Sequence, residues 1–145
     1  MIRQIAVIGS GTMGRGIAWL AANSGYDTVV FDLDQSALDA AHGWIESTFR
    51  KSVEKGKIAE DDAAKAMGRV QTVADLEPAV QQADLIIEAV PENFQLKADL
   101  FAQADLFCGE ETYLVSNTSS ISITRLASNV ERRERFAGMH FFNPP

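Results

Sequence analysis

The chain has 145 residues, 46% of them hydrophobic and 23% charged, with a formal net charge of −7. That size and balance suit one globular domain with its own core and exclude disordered, collagen-like and low-complexity classes. Cys108 is the only cysteine, which excludes an internal disulfide or a zinc cluster; the acidic balance argues against a nucleic-acid partner, and no apolar stretch approaches the ~20 residues that span a bilayer.

The first apolar run, Ile2–Ile8, predicts a strand and breaks at Gly9 and Gly11. It has neither the charged lead nor the cleavage site of a signal peptide, so none is expected. Thr12 to Asn23 predicts a helix, with Met13, Ile17, Leu20 and Ala21 at helical spacing and Gly25 where a C-terminal cap belongs. Thr28–Leu33 is the second strand. Asp34 or Ser36 caps a long helix to about Lys55, Gly56 ends it, and a second helix follows from about Ala59 to Met67. The stretch from Asp34 to Arg69 exceeds what one crossover helix needs, and predicts a helical hairpin projecting from the sheet. A decorated crossover without function is the plain alternative.

Val70–Val73 is the third strand, and Asp75 caps a short helix through Gln82. The fourth strand, Asp84–Ala89, leads to a helix capped by Asn93 and running to about Phe107. Tyr113–Ser116 is the fifth strand, followed by a short helix capped by Ser122. The mixed-sign run Glu131–Arg135 predicts a solvated turn before the sixth strand, Arg135–His140. Runs such as Ile5-Ala6-Val7-Ile8 and Leu85-Ile86-Ile87 are solidly apolar rather than alternating, which suits strands buried on both faces. The predicted class is α/β: a Rossmann-type, doubly wound, mostly parallel sheet with a helical hairpin inserted after the second strand.

The first strand ends in Gly9-Ser10-Gly11-Thr12-Met13-Gly14, a G-x-G-x-x-G between a strand and a helix. Gly9 permits the tight turn, Gly11 lets a pyrophosphate approach the backbone, and Gly14 lets helix and strand pack closely. Helix N–H groups and dipole then hold the phosphates without a basic residue. Asp32, roughly 20 residues on, can accept both ribose hydroxyls of an adenosine and would repel a 2′-phosphate. No arginine follows it (Leu33-Asp34-Gln35), so NAD is favoured over NADP; the plain alternative is that Asp32 joins Asp34 in capping the next helix. Glu92 and Lys97 are expected near the mouth of the site; taken bare, Asn93 is a helix cap and Lys97 a surface charge. Ser116-Asn117-Thr118-Ser119-Ser120 is a polar cluster at a strand end, able to hydrogen-bond a ribose or a substrate hydroxyl, or simply to cap the next helix. His42 lies within the long helix and reads as structural or solvated. His140 falls at a strand end, where open α/β sheets bind ligands, and an imidazole there can take a hydroxyl proton.

The combination resembles the NAD-binding domain of the 3-hydroxyacyl-CoA dehydrogenase family over the whole chain. The most specific segments are Glu88-Ala89-Val90-Pro91-Glu92-Asn93, Ser116-Asn117-Thr118-Ser119-Ser120 and His140-Phe141-Phe142-Asn143-Pro144. The resemblance implies that residues 1–145 form the NAD-binding domain of an oxidoreductase of fatty-acid β-oxidation, interconverting (3S)-3-hydroxyacyl-CoA and 3-oxoacyl-CoA. It implies His140 as catalytic base and Ser119 as hydrogen-bond partner of the substrate oxygen. Asn117 and Asn143 would line the same pocket, with Glu92 and Lys97 on NAD. On the hairpin, Thr48 and Lys55 become candidate coenzyme A contacts, with help from Lys51 and Lys57. Family members carry a glutamate that orients the histidine, and a mostly helical domain for substrate and dimerisation, beyond the last motif. The chain stops at Pro145, so it is expected to bind NAD yet be nearly inactive alone. No metal is expected, and cysteine usage suggests a cytoplasmic setting. Two other readings stay open here: a 6-phosphogluconate- or hydroxyisobutyrate-type dehydrogenase using a lysine, and a non-catalytic NAD(H)-sensing module.

Overall fold

A computed structural model describes residues 1–145. Six strands run in chain order as β1 (Gln4–Ile8), β2 (Asp27–Phe31), β3 (Val70–Val73), β4 (Leu85–Glu88), β5 (Tyr113–Ser116) and β6 (Phe136–Gly138). The helices between them are α1 (Thr12–Asn23), α2 (Gln35–Glu54), α3 (Glu60–Met67), α4 (Leu76–Val80), α5 (Phe94–Phe107) and α6 (Ile123–Ala127). One sheet forms, in the order β3-β2-β1-β4-β5-β6. Every neighbouring pair is parallel, so the sheet is wholly rather than mostly parallel.

The solid apolar runs follow from that topology. Ile5 and Val7 of β1 face a core shared with Ile17 of α1, Leu38, Ile45 and Phe49 of α2, and Ala63 and Ala66 of α3. Ala6 and Ile8 face the opposite core with Ala98, Phe101 and Ala104 of α5 and Leu126 of α6. Right-handed crossovers put helices on opposite faces as the chain winds left from β1 and then right from β4. The ring of Phe101, fully buried, meets Phe136 edge-on at 4.6 Å and so ties β6 to α5.

Sequence and structure agree on the element order; β3 and β5 have the expected bounds, β2 starts one residue earlier and ends two sooner, and β1, β4 and β6 are shorter than expected. Asp34, Asn93 and Ser122 cap their helices as read, accepting from Ser36, Leu96 and Arg125 amides. Asp75 occupies the cap position of α4 without a side-chain bond. Two expectations are corrected. The hairpin α2–α3 does not project from the sheet: its apolar stripe lies in the same core as α1 and β1, because Leu38, Ile45 and Phe49 recur on one helix face. The Glu131–Arg135 run is solvated only in part: Glu131, Arg133 and Glu134 are exposed, but the two remaining arginines are anchored. Arg132 pairs with Asp105 at 2.6 Å and bonds the Gly109 carbonyl, while Arg135 pairs with Glu111 at 2.6 Å and lies 5.1 Å from the ring of Tyr113. These anchors fix the approach to β6.

Candidate functional site

Because all strands are parallel, their carboxyl ends lie on one edge of the sheet, as ligand sites in open α/β folds require. The glycine turn occupies that edge at the end of β1. Gly9 has φ +101°, and its amide donates to the Phe31 carbonyl at 2.8 Å. A Cβ on Gly9 would come within 2.7 Å of the Ala89 carbonyl oxygen, and one on Gly14 would overlap the Gly9 carbonyl. Gly9 and Gly14 therefore serve the packing of the chain on itself. Gly11 differs: a Cβ there would meet no heavy atom within 4 Å. Its missing side chain leaves open space in a cleft of about 580 Å³, lined also by Gly9, Ser10, Asp32, Leu33, Val90 and Leu96. No side chain caps α1, so its first N–H groups have no partner on the helix or before it. Thr12 is exposed beside Gly11, and Met13 packs against the core.

Asp32 stands at the far wall of this cleft. Its Oδ2 accepts from the Ser10 amide at 3.0 Å and the Ser10 hydroxyl at 2.7 Å; its Oδ1 accepts from the Asp34 amide at 3.1 Å. Burial raises its pKa, but these bonds outweigh it and hold the carboxyl below the usual range. Asp32 thus fixes the glycine turn, and Oδ1 keeps capacity for a further donor.

At the ends of β4 and β5 the charges form one chain of contacts. Glu88 is fully buried and Lys97 is 2% exposed. The Lys97 ammonium donates to Glu88 Oε1 at 2.5 Å and to the Val90 carbonyl at 3.0 Å. Ser116 donates to Glu88 Oε2 at 2.5 Å, and the Val90 amide donates to Oε1 at 2.7 Å. On its outer side Lys97 is 3.6 Å from Glu92. Glu92 accepts the Thr118 hydroxyl at 2.6 Å and both the amide and hydroxyl of Ser119, at 3.1 and 3.2 Å. Burial pushes the Glu92 carboxyl up, but these donors and the Lys97 charge leave it below the usual range. Lys97 is therefore neither a surface charge nor at the mouth; it lies beneath Glu92.

Asn117 does not stand free. Its Oδ1 accepts from the Phe141 amide at 2.7 Å, holding the segment after β6 against β5. His140 is exposed at that edge, its ring 5.6 Å from Phe142. Asn143 is exposed three residues beyond His140, and Pro145 returns to α1, where its Cγ fills the place a Cβ on Gly16 would need. Thr48 and Lys55 sit apart on α2; the Thr48 hydroxyl bonds the Trp44 carbonyl at 2.7 Å, and Lys55 ends the helix. The sequence reading assigned no role to Glu88 or Arg15. A buried acid at a strand end followed by a lysine on the next helix would have signalled the first. Arg15, which lines the cleft, carries no local signal that would single it out.

A dinucleotide fits these residues: the open space at Gly11 and the uncapped start of α1 form a cradle that the protein itself leaves unfilled. Comparison with known proteins agrees. Residues 4–145 match the family model described as 3-hydroxyacyl-CoA dehydrogenase, NAD binding domain. The chain is 41% identical over 150 residues to the mitochondrial hydroxyacyl-coenzyme A dehydrogenase of Sus scrofa, covering 99% of this chain and 48% of that protein. It is 46% identical over 141 residues to a probable 3-hydroxybutyryl-CoA dehydrogenase of Deinococcus radiodurans, covering 97% and 50%. Among solved structures, 3-hydroxybutyryl-CoA dehydrogenase from Escherichia coli K12 superposes with TM-score 0.96 at 41% identity, covering 99% of this chain and 30% of that one. The chain thus spans half or less of the length of these relatives. No helix is long and apolar enough to cross a membrane.

Proposed function

This chain belongs to the family of 3-hydroxyacyl-CoA dehydrogenase NAD-binding domains, and from that premise we propose that it serves an enzyme interconverting (3S)-3-hydroxyacyl-CoA and 3-oxoacyl-CoA. The observation that carries this reading is the shared edge: five parallel strands deliver the glycine turn, Asp32, Glu92, Ser119 and His140 to one side of the sheet. NAD⁺, when bound, supplies the hydride acceptor. Gly9–Gly14 hold its diphosphate, and Asp32 accepts a ribose hydroxyl while repelling a 2′-phosphate. His140 takes the proton of the substrate hydroxyl during oxidation and returns it during reduction. Ser119, whose hydroxyl donates to Glu92 at 3.2 Å, turns that O–H to hydrogen-bond the substrate oxygen. Asn117 fixes the backbone after His140, and Asn143 lines the pocket. Glu92 and Lys97 hold the nicotinamide side of the cofactor, Lys97 acting through Glu92. Thr48 and Lys55 of the hairpin meet coenzyme A.

Residues 1–145 form the cofactor half. A second, mostly helical domain of the parent protein supplies the carboxylate that orients His140, closes over the acyl group and forms a homodimer. We place the protein in a reducing compartment such as the cytoplasm, which its single free cysteine fits. The test is acetoacetyl-CoA reduction followed by NADH absorbance. The chain alone binds NADH with turnover far below that of a full-length relative. In the full-length protein, His140→Gln abolishes turnover and leaves NADH affinity intact. Full-length-like turnover by residues 1–145 alone, or an active His140→Gln enzyme, would overturn the reading.

A further inference from the structure

Arg15 is a charge without a counter-charge. It lies one turn into α1, its amide bonded to the Gly11 carbonyl at 3.0 Å. Its guanidinium carbon is 4.7 Å from the ring centroid of Trp44 on α2. It joins none of the molecule's ion pairs, and its Nε is buried without a hydrogen-bond partner. An unmade bond of that kind is costly, and the peptide dipoles at a helix start disfavour a cation. The cleft supplies the compensating role. Among its 15 lining residues Arg15 is the only basic one. Lys97, the nearest alternative at this edge, is committed to Glu88. Asp32 lines the same cleft, in a chain of net charge −7. An anionic ligand entering here meets one uncommitted cation.

Side chains on a helix lean toward its N-terminus, so an arginine one turn in brings its head back level with Gly11. The contact with Trp44 places that head on the α2 side, and α2 begins just after Asp32. We propose that Arg15, laid on the Trp44 ring, binds a phosphate of an adenine nucleotide, the phosphate beside the ribose that Asp32 holds. This rests on the dinucleotide reading of the cleft. Coenzyme A carries the same chemistry, and Thr48, one turn beyond Trp44, lies on the hairpin side. The experiment separates the two sources.

The chain and its Arg15→Gln and Arg15→Lys variants are titrated with NADH and, separately, with coenzyme A, at low and high salt, and their urea midpoints are measured. Arg15→Gln keeps the stem on Trp44 and loses the charge. It weakens NADH binding about 10-fold at low salt, flattens the salt dependence and does not lower the urea midpoint, while Arg15→Lys recovers part of the affinity. A loss confined to coenzyme A supports the phosphate role and assigns the phosphate to the acyl carrier. Equal affinities and equal salt slopes for wild type and Arg15→Gln with both ligands overturn the proposal. A wild type that binds coenzyme A through Arg15 but no NADH would instead sink the dinucleotide reading; binding of neither sinks both.

Discussion

Replacing Glu88 by glutamine tests the buried charge pair without changing side-chain size. The Val90 amide keeps the remaining oxygen and the Ser116 hydroxyl turns to accept from the new NH2, but the ammonium of Lys97, 2% exposed, loses its main counter-charge. Leaving one member of a buried pair uncompensated costs about 3–5 kcal/mol. Lys97 retains the Val90 carbonyl at 3.0 Å and Glu92 at 3.6 Å, which places the expected loss near the lower end, about 3 kcal/mol. Lys97→Met leaves Glu88 buried with its two neutral donors and is expected to cost a similar amount. The double variant Glu88→Gln, Lys97→Met removes both charges and is expected to lose no more than one single variant, about 3 kcal/mol rather than about 6. Urea unfolding followed by circular dichroism reads this directly, with unchanged slope in denaturant. In a thermal scan each single loss corresponds to roughly 10 °C for a chain of this size. Single losses below about 1 kcal/mol, or a double loss equal to the sum, would refute the account of Glu88 and Lys97 as one buried unit.

Gly11→Ala and Gly14→Ala should separate binding from packing. A Cβ on Gly11 meets no protein atom, so its urea midpoint stays in place while NADH affinity in a fluorescence titration falls at least about 10-fold; a Cβ on Gly14 overlaps the Gly9 carbonyl, so that variant fails to fold. Acid stability follows from the depressed carboxyls of Asp32, Asp84 and Glu92. A carboxyl whose folded pKa is lowered contributes stability above its unfolded value and loses it as pH falls through the folded one. Stability is therefore flat from neutrality to about pH 5 and declines below about pH 4. Ser10→Ala removes one of the donors to Asp32, so its stability deficit is largest near pH 7 and closes toward pH 3, as urea titrations at both pH values would show.

What the sequence disclosed was local. The glycine turn, Asp32 at the end of β2, and the caps at Asp34, Asn93 and Ser122 each depend on neighbours within a turn or a strand. The misread residues depend on distant partners. Lys97 looks like any helix-surface lysine until Glu88 is placed beneath it by the β4–α5 turn. Arg132 and Arg135 read as solvated charge because Asp105 and Glu111 lie on α5 and the loop after it, more than 20 positions away. Arg15 and Trp44 sit on different helices, and nothing in either segment announces that they meet. The length of the α2–α3 segment suggests a projection, but the apolar stripe Leu38, Ala41, Ile45 and Phe49 draws α2 onto the sheet.

A sheet with only parallel neighbours also governs how the chain reaches its native state. No two adjacent strands are joined by a tight turn, so no pair can zip up as a local hairpin. β1 must find β4, which begins at Leu85, across two crossovers already laid down. Such long loops are closed before any reward arrives, which slows refolding relative to a helical bundle of equal length. During that interval the bare rims of a half-built sheet invite association between molecules, and dilute, cold refolding is the condition that favours recovery.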